Sequence, residues 1–73
     1  MNKQEIIKAY KDAGFTVEEL LDDITVSLNR RVTEQEVIAI CPDEIECFQV
    51  MRFSDNEIGI YLPYEIYGNE YEV

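Results

Sequence analysis

Residues 16–29 read TVEELLDDITVSLN, and how this stretch is folded decides the architecture. Thr16 is followed three residues later by Glu19, the spacing of a capping box at a helix start. Val17, Leu20, Leu21, Ile24 and Leu28 then mark one apolar face at helical period. Phe15 precedes the cap and is spaced to staple onto Leu20. The pattern predicts a helix from Val17 to Asn29 or Arg30, with Arg30 and Arg31 near its C-terminal end. Upstream, Asn2 and Glu5 have the same box spacing, with Asn as the cap. Ile6, Ile7 and Tyr10 form a stripe, Lys8 faces Asp12 four residues on, and Lys11 suits the last turn. Gly14 supplies the stop. Only Gly14 and Phe15 separate the two expected helices, which implies an αα-hairpin.

Downstream, Thr33 and Glu36 offer a third capping box, opening a short helix to Cys41. The same residues include Val37-Ile38-Ala39-Ile40-Cys41, a continuous apolar run. Five residues rich in β-branched side chains favour a buried strand over that helix. Pro42-Asp43 reads as a turn. From Ile45 to Phe53 the composition is that of a strand, Ser54 to Glu57 form a turn cluster, and Ile58 to Leu62 alternate with period two. Ile58, Ile60 and Leu62 are expected on the core face, and Pro63 ends the strand. The tail from Tyr64 to Val73 is expected to add a short strand or to lie over the sheet. The whole predicts a single α+β domain over residues 1–73: an N-terminal helical hairpin packed on a small three-stranded antiparallel sheet.

Seventy-three residues suffice for one small core, with a net stability of about 3–5 kcal/mol. Sixteen Asp and Glu against six Lys and Arg give a net charge of −10, and there is no His. Such a chain repels nucleic acids and anionic membranes, so neither is expected as a direct partner. The polar start from Met1 to Tyr10 does not read as a signal peptide, and no apolar run approaches about 18 residues. Cys41 and Cys47 are expected as reduced, buried thiols, and the protein as cytoplasmic.

The usual chemistries lack their residues. Without His the commonest general base and metal ligand are missing. Cys41 and Cys47 cannot complete a zinc site. The three glycines lie far apart, so no phosphate loop is formed. Asp55-Asn56-Glu57-Ile58-Gly59 lacks the spacing and terminal glutamate of a calcium loop. No enzymatic activity, cofactor or metal is expected.

The acids carry the functional reading. Residues 1–36 hold eight acids and five bases; residues 37–73 hold eight acids and only Arg52 as a base. In the first half, Glu18 and Glu19 are explained as first-turn acids of the expected second helix, with Asp22 and Asp23 gaining less from its dipole. No helix end explains the second half, where Glu44 and Glu46, Asp55 and Glu57, and Glu70 and Glu72 lie two apart. Paired so in an extended chain, they point to one face. Tyr61, Tyr64, Tyr67 and Tyr71 interleave with acids, and tyrosine is enriched in protein interfaces. The expected partner-binding residues are Asp43, Glu44, Glu46, Asp55, Glu57, Tyr64, Glu65, Tyr67, Glu70, Tyr71 and Glu72. They suit a basic protein partner. Where that partner handles nucleic acid, the domain would act as an inhibitor or regulator occupying its basic surface. The chain is similar in size and charge to small acidic inhibitors carried by phages and mobile elements. The alternative expectation is an assembly subunit that oligomerises through its sheet.

Overall fold

A computed structural model describes residues 2–43, 45 and 49–63. In it, residues 16–29 form a β-hairpin rather than a helix. Strand β1 spans Thr16–Glu19 and β2 spans Asp23–Ser27, joined by a turn in which the Leu20 amide donates to the Asp23 carbonyl at 2.9 Å. The expected helix placed Leu20 and Leu21 in the core. Instead Leu20 is 44% and Leu21 72% exposed at the hairpin tip. The competing pattern is Ile24-Thr25-Val26, three consecutive β-branched residues whose χ1 freedom a helix restricts. Ile24 and Val26 alternate into the core and pair with Ile60 and Ile58 of a later strand. That non-local pairing overrides the local box of Thr16 and Glu19.

The first helix, α1 (Lys3–Asp12), forms as its sequence dictates. Asn2 and Glu5 close a capping box, each side chain meeting the other's amide at 2.9 Å. Gly14, at φ 98°, takes the left-handed conformation that ends the helix. Ile6, Ile7 and Tyr10 are buried, and Tyr10 meets Phe15 edge-on at 5.7 Å between ring centroids. Burial, with Cys41 nearby, pushes the Tyr10 hydroxyl well above its ordinary pKa.

The second correction falls at residues 37–41: in place of the favoured strand the alternative helix forms, as α2 (Glu34–Ile40). Here the capping box is real: the Glu36 amide donates to Thr33 Oγ1 at 3.2 Å, and the Thr33 amide to Glu36 Oε2 at 2.8 Å. The apolar run does not need cover on two sides. Val37 and Cys41, four apart, are buried, while Ile38 and Ile40 are half-buried and Ala39 is exposed. Tyr10 Oη donates to the Val37 carbonyl at 2.5 Å and so ties α2 to α1. The two helices are therefore separated by the β1–β2 hairpin, and no αα-hairpin exists.

Strands β3 (Val50–Ser54) and β4 (Glu57–Tyr61) form the hairpin expected from their alternation, turning at Asp55-Asn56. Among the described residues the sheet has four antiparallel strands, not three, in the order β1-β2-β4-β3. The extra strands come from the misread segment 16–29. Ile58, Ile60 and Leu62 are fully buried, as expected, with Ile24 and Val26 beside them and both helices on that side. The expectations for Tyr64–Val73 and for Cys47 lie outside the described residues.

Polar contacts fasten the elements. Lys3, only 2% exposed, donates from its ammonium group to the carbonyls of Leu20 and of Leu21, the latter at 2.9 Å, with Glu19 at 3.8 Å. Arg52 donates to the carbonyls of Val32, Ser54 and Asp55 and pairs with Glu34 at 2.9 Å. Its hydrogen bond holds the Glu34 carboxyl below its ordinary pKa. Arg30 grips Glu36 at 2.6 Å and, with the Thr33 amide, lowers that carboxyl to about 2.

Three outcomes follow for stability, each read by urea denaturation. Lys3→Met leaves the two hairpin carbonyls without their donor and costs about 1–3 kcal/mol. Leu21→Ala changes stability by under about 0.5 kcal/mol, whereas Ile24→Ala costs about 2–5 kcal/mol; a core helix would make the two losses comparable. Glu36 has a depressed folded pKa, so its contribution is complete above about 4.5 and is lost as pH falls towards about 2. Relative to Glu36→Gln, the wild type should lose its advantage over that window and no higher.

Candidate partner-binding face

Among the described residues both helices pack on one side of the sheet, and no element covers the other side. The registers decide which residues face outwards. Thr16 and Glu18 of β1 lie opposite Ser27 and Thr25 of β2; Asp23, Thr25 and Ser27 lie opposite Tyr61, Gly59 and Glu57 of β4. Met51 of β3 lies opposite Gly59. All alternate with core residues and therefore share the open face.

The β3–β4 half of this face is apolar. Met51 is 64%, Phe53 52% and Tyr61 51% exposed. Phe53 sits where the β3–β4 register shifts, between Arg52 paired with Ile58 and Ser54 paired with Glu57. Such a bulge re-aims the side chain it carries. The Phe53 ring lies over Gly59, so closely that a Cβ on Gly59 would come within 2.6 Å of Cε2 and Cζ. Glycine is required there because no other residue leaves room for the ring in this position. Beside the ring lies a depression of about 260 Å³, lined in part by Asp23, Met51, Gly59 and Tyr61.

The charge on this face is of one sign. Glu18, Asp23 and Glu57 lie on it, and among the described residues no lysine or arginine does. Lys3, Lys8 and Lys11 belong to α1, Arg30 and Arg31 to the connection between β2 and α2, and Arg52 to the helix-facing side of β3. Five of the chain's six bases already hold an acid: Lys3 with Glu19, Lys8 with Asp12, Arg30 with Glu36, Arg31 with Asp55, and Arg52 with Glu34.

Of the residues expected to bind a partner, three are described. Asp43 is exposed in the turn after α2, and Glu57 is exposed on the open face, accepting from Ser54 Oγ at 3.1 Å. Asp55 is exposed but pairs with Arg31 at 2.9 Å, and it sits in the turn rather than beside Glu57 on a strand. The same-face pair expected of these two therefore does not form. Glu44, Glu46, Tyr64, Glu65, Tyr67, Glu70, Tyr71 and Glu72 lie outside the described residues. The helix-dipole account of Glu18, Glu19, Asp22 and Asp23 is overturned, because a β-hairpin carries them. Glu19 instead accepts from Gln4 at 3.2 Å on the helix side, while Glu18 and Asp23 join the open face.

Of the residues on this face, sequence reasoning left Glu18, Asp23, Met51, Phe53 and Tyr61 out of the expected binding set. The signal was the alternation Val50-Met51-Arg52 against Ile58-Gly59-Ile60. Reading it required β2 as a strand, because β2 fixes which side of β4 is covered. Among the described residues no helix is long and apolar enough to cross a membrane. Comparison with protein-family models, curated proteins and solved structures finds no match to this chain.

Proposed function

We propose that this domain is a non-enzymatic, cytoplasmic binding module that docks on the basic surface of a partner protein. One observation carries the reading: a sheet face that no other described element covers, on which Met51, Phe53 and Tyr61 are half exposed or more beside Glu18, Asp23 and Glu57, with no base among the described residues. Exposed aromatic and methionine side chains beside one sign of charge are the composition of a recognition surface. The net charge of −10 supports it, because five of the six bases are already paired with acids of the same chain. A partner that handles nucleic acid presents the complementary surface. On such a partner the domain acts as an inhibitor, holding the groove against DNA or RNA.

The assembly reading also has a specific observation behind it, the exposed apolar half of the same face. Two copies stacked there would set Glu18, Asp23 and Glu57 of one against those of the other, and that repulsion favours an unlike, basic partner.

The test takes basic nucleic-acid-binding proteins retained on the immobilised domain and measures their Kd in purified form. Affinity should weaken at least about tenfold from about 50 to about 300 mM salt, with nucleic acid competing for the same surface. A salt-independent Kd would refute electrostatic docking. Light scattering at micromolar concentration should give a monomer; a stable oligomer would favour assembly instead.

A further inference from the structure

We infer that the depression beside Gly59 is a receptor for one arginine side chain of the partner. Asp23 is its ion-pair acceptor, and Phe53 and Tyr61 are its aromatic walls. The inference rests on the docking face proposed above and names the chemistry that face selects.

The depression brings together three groups that suit a guanidinium. Asp23 and Tyr61 are direct cross-strand partners, and Gly59 and Met51 form the neighbouring pair. Directly opposed residues of antiparallel strands hold their Cβ atoms about 4.5–5.5 Å apart, so a carboxylate and an aromatic ring lie side by side at one end. The bulged Phe53 leans over Gly59 at the other. Met51, polarizable and 64% exposed, adds an apolar surface for a methylene stem. The volume of about 260 Å³ admits one long side chain but no secondary-structure element.

The carboxylate is available. Among the described residues no side chain or backbone donor bonds the Asp23 carboxylate, although its backbone carbonyl accepts from the Leu20 amide. No described lysine or arginine lies beside it on that face. A cation entering between these groups gains a charge-assisted hydrogen bond and the ring quadrupoles together. Arginine fits better than lysine, because its planar group stacks on rings, presents a fork to a carboxylate and is more weakly hydrated.

The chain cannot supply this cation from a second copy without loss. Arg30, Arg31 and Arg52, its three arginines, are each engaged with an acid of the same chain. Arg52 in addition holds three backbone carbonyls. A foreign arginine is therefore the occupant.

The probe is N-acetyl-arginine methylamide, titrated into the isotope-labelled full chain and followed by NMR. The Gly59 amide, the Met51 methyl and the Phe53 and Tyr61 ring signals should shift together and saturate, in the millimolar range. N-acetyl-lysine methylamide should bind several-fold more weakly, and the norleucine analogue should leave these signals unmoved. Asp23→Asn should weaken the arginine probe about tenfold with the rest of the spectrum preserved. Glu57→Gln, which removes a charge from the same face outside the depression, should change it less than about twofold. In Gly59→Ala the new methyl displaces the Phe53 ring, and the probe should no longer saturate. Equal weakening by Asp23→Asn and Glu57→Gln would overturn the receptor and leave only diffuse attraction. Saturable arginine binding with a salt-independent partner Kd would instead uphold the receptor and discard the docking function.

Discussion

The buried ammonium of Lys3 is the contact on which the arrangement of the molecule turns. In a helix, the carbonyls of Leu20 and Leu21 would be met by amides four residues on. Bending the same residues into a hairpin tip removes those donors, and Lys3, in the first turn of α1, replaces them for both carbonyls. Burying a lysine is costly unless its donors are all used. Here two carbonyls and Glu19 surround it. The contact pins α1 to the hairpin and so chooses which side of the sheet α1 covers. Ile24 and Val26 are thereby committed to the core, and Asp23 and Thr25 to the open side. A small domain with little core to spare depends heavily on one such fastening.

The same pattern of residues is true at one place in this chain and false at another. Thr33 and Glu36 form a capping box; Thr16 and Glu19, at identical spacing, do not. The box is a local statement, and both sites meet it equally. What separates them is remote. Ile24 and Val26 find Ile60 and Ile58 across the sheet, more than thirty residues away, whereas Val37 joins the core from a helix, with its carbonyl accepting from Tyr10 Oη. Elements whose signals are complete within a few residues were legible: the Asn2–Glu5 box, the stop at Gly14, the Asp55-Asn56 turn and the alternation of Ile58, Ile60 and Leu62. The candidate face was not. Its membership depends on the sidedness of β4, which passes through β2, the segment whose local pattern points to the wrong structure. Asp55 illustrates the same limit, because its partner Arg31 lies 24 residues upstream in a connection whose position only the fold defines.

Charge is divided between two tasks. The cations are structural. Lys3 holds the first hairpin, Arg30 holds the cap of α2, and Arg52 joins the β3 end to Val32 and Glu34. Arg31 reaches the second turn. Lys3 opens α1, Arg30 and Arg31 lie just before the cap of α2, and Arg52 reaches carbonyls beyond the end of β3; each pairs with one acid. Acids outnumber cations sixteen to six, and those on the open sheet face meet no opposing charge among the described residues. Most of the positive charge is thus tied into pairs within the chain, while Glu18, Asp23 and Glu57 stand on the open face.

That division decides what kind of contact the open face can make. Apolar side chains alone would let it close on a second copy, as exposed sheets tend to do. Three acids on the same face oppose that closure and leave the attraction to any molecule that brings its own cations. The bulge at Phe53 and the bare backbone at Gly59 then convert a flat face into one with a recess, at the place where Asp23 and Tyr61 meet across β2 and β4. Flat acidic sheet surface attracts any basic body and distinguishes little between them. A recess that combines a carboxylate with two rings discriminates by the shape and hydration of the cation as well as by its sign. In the proposed complex, attraction therefore comes from the charge of the whole domain, whereas selection comes from a few side chains placed by one register shift.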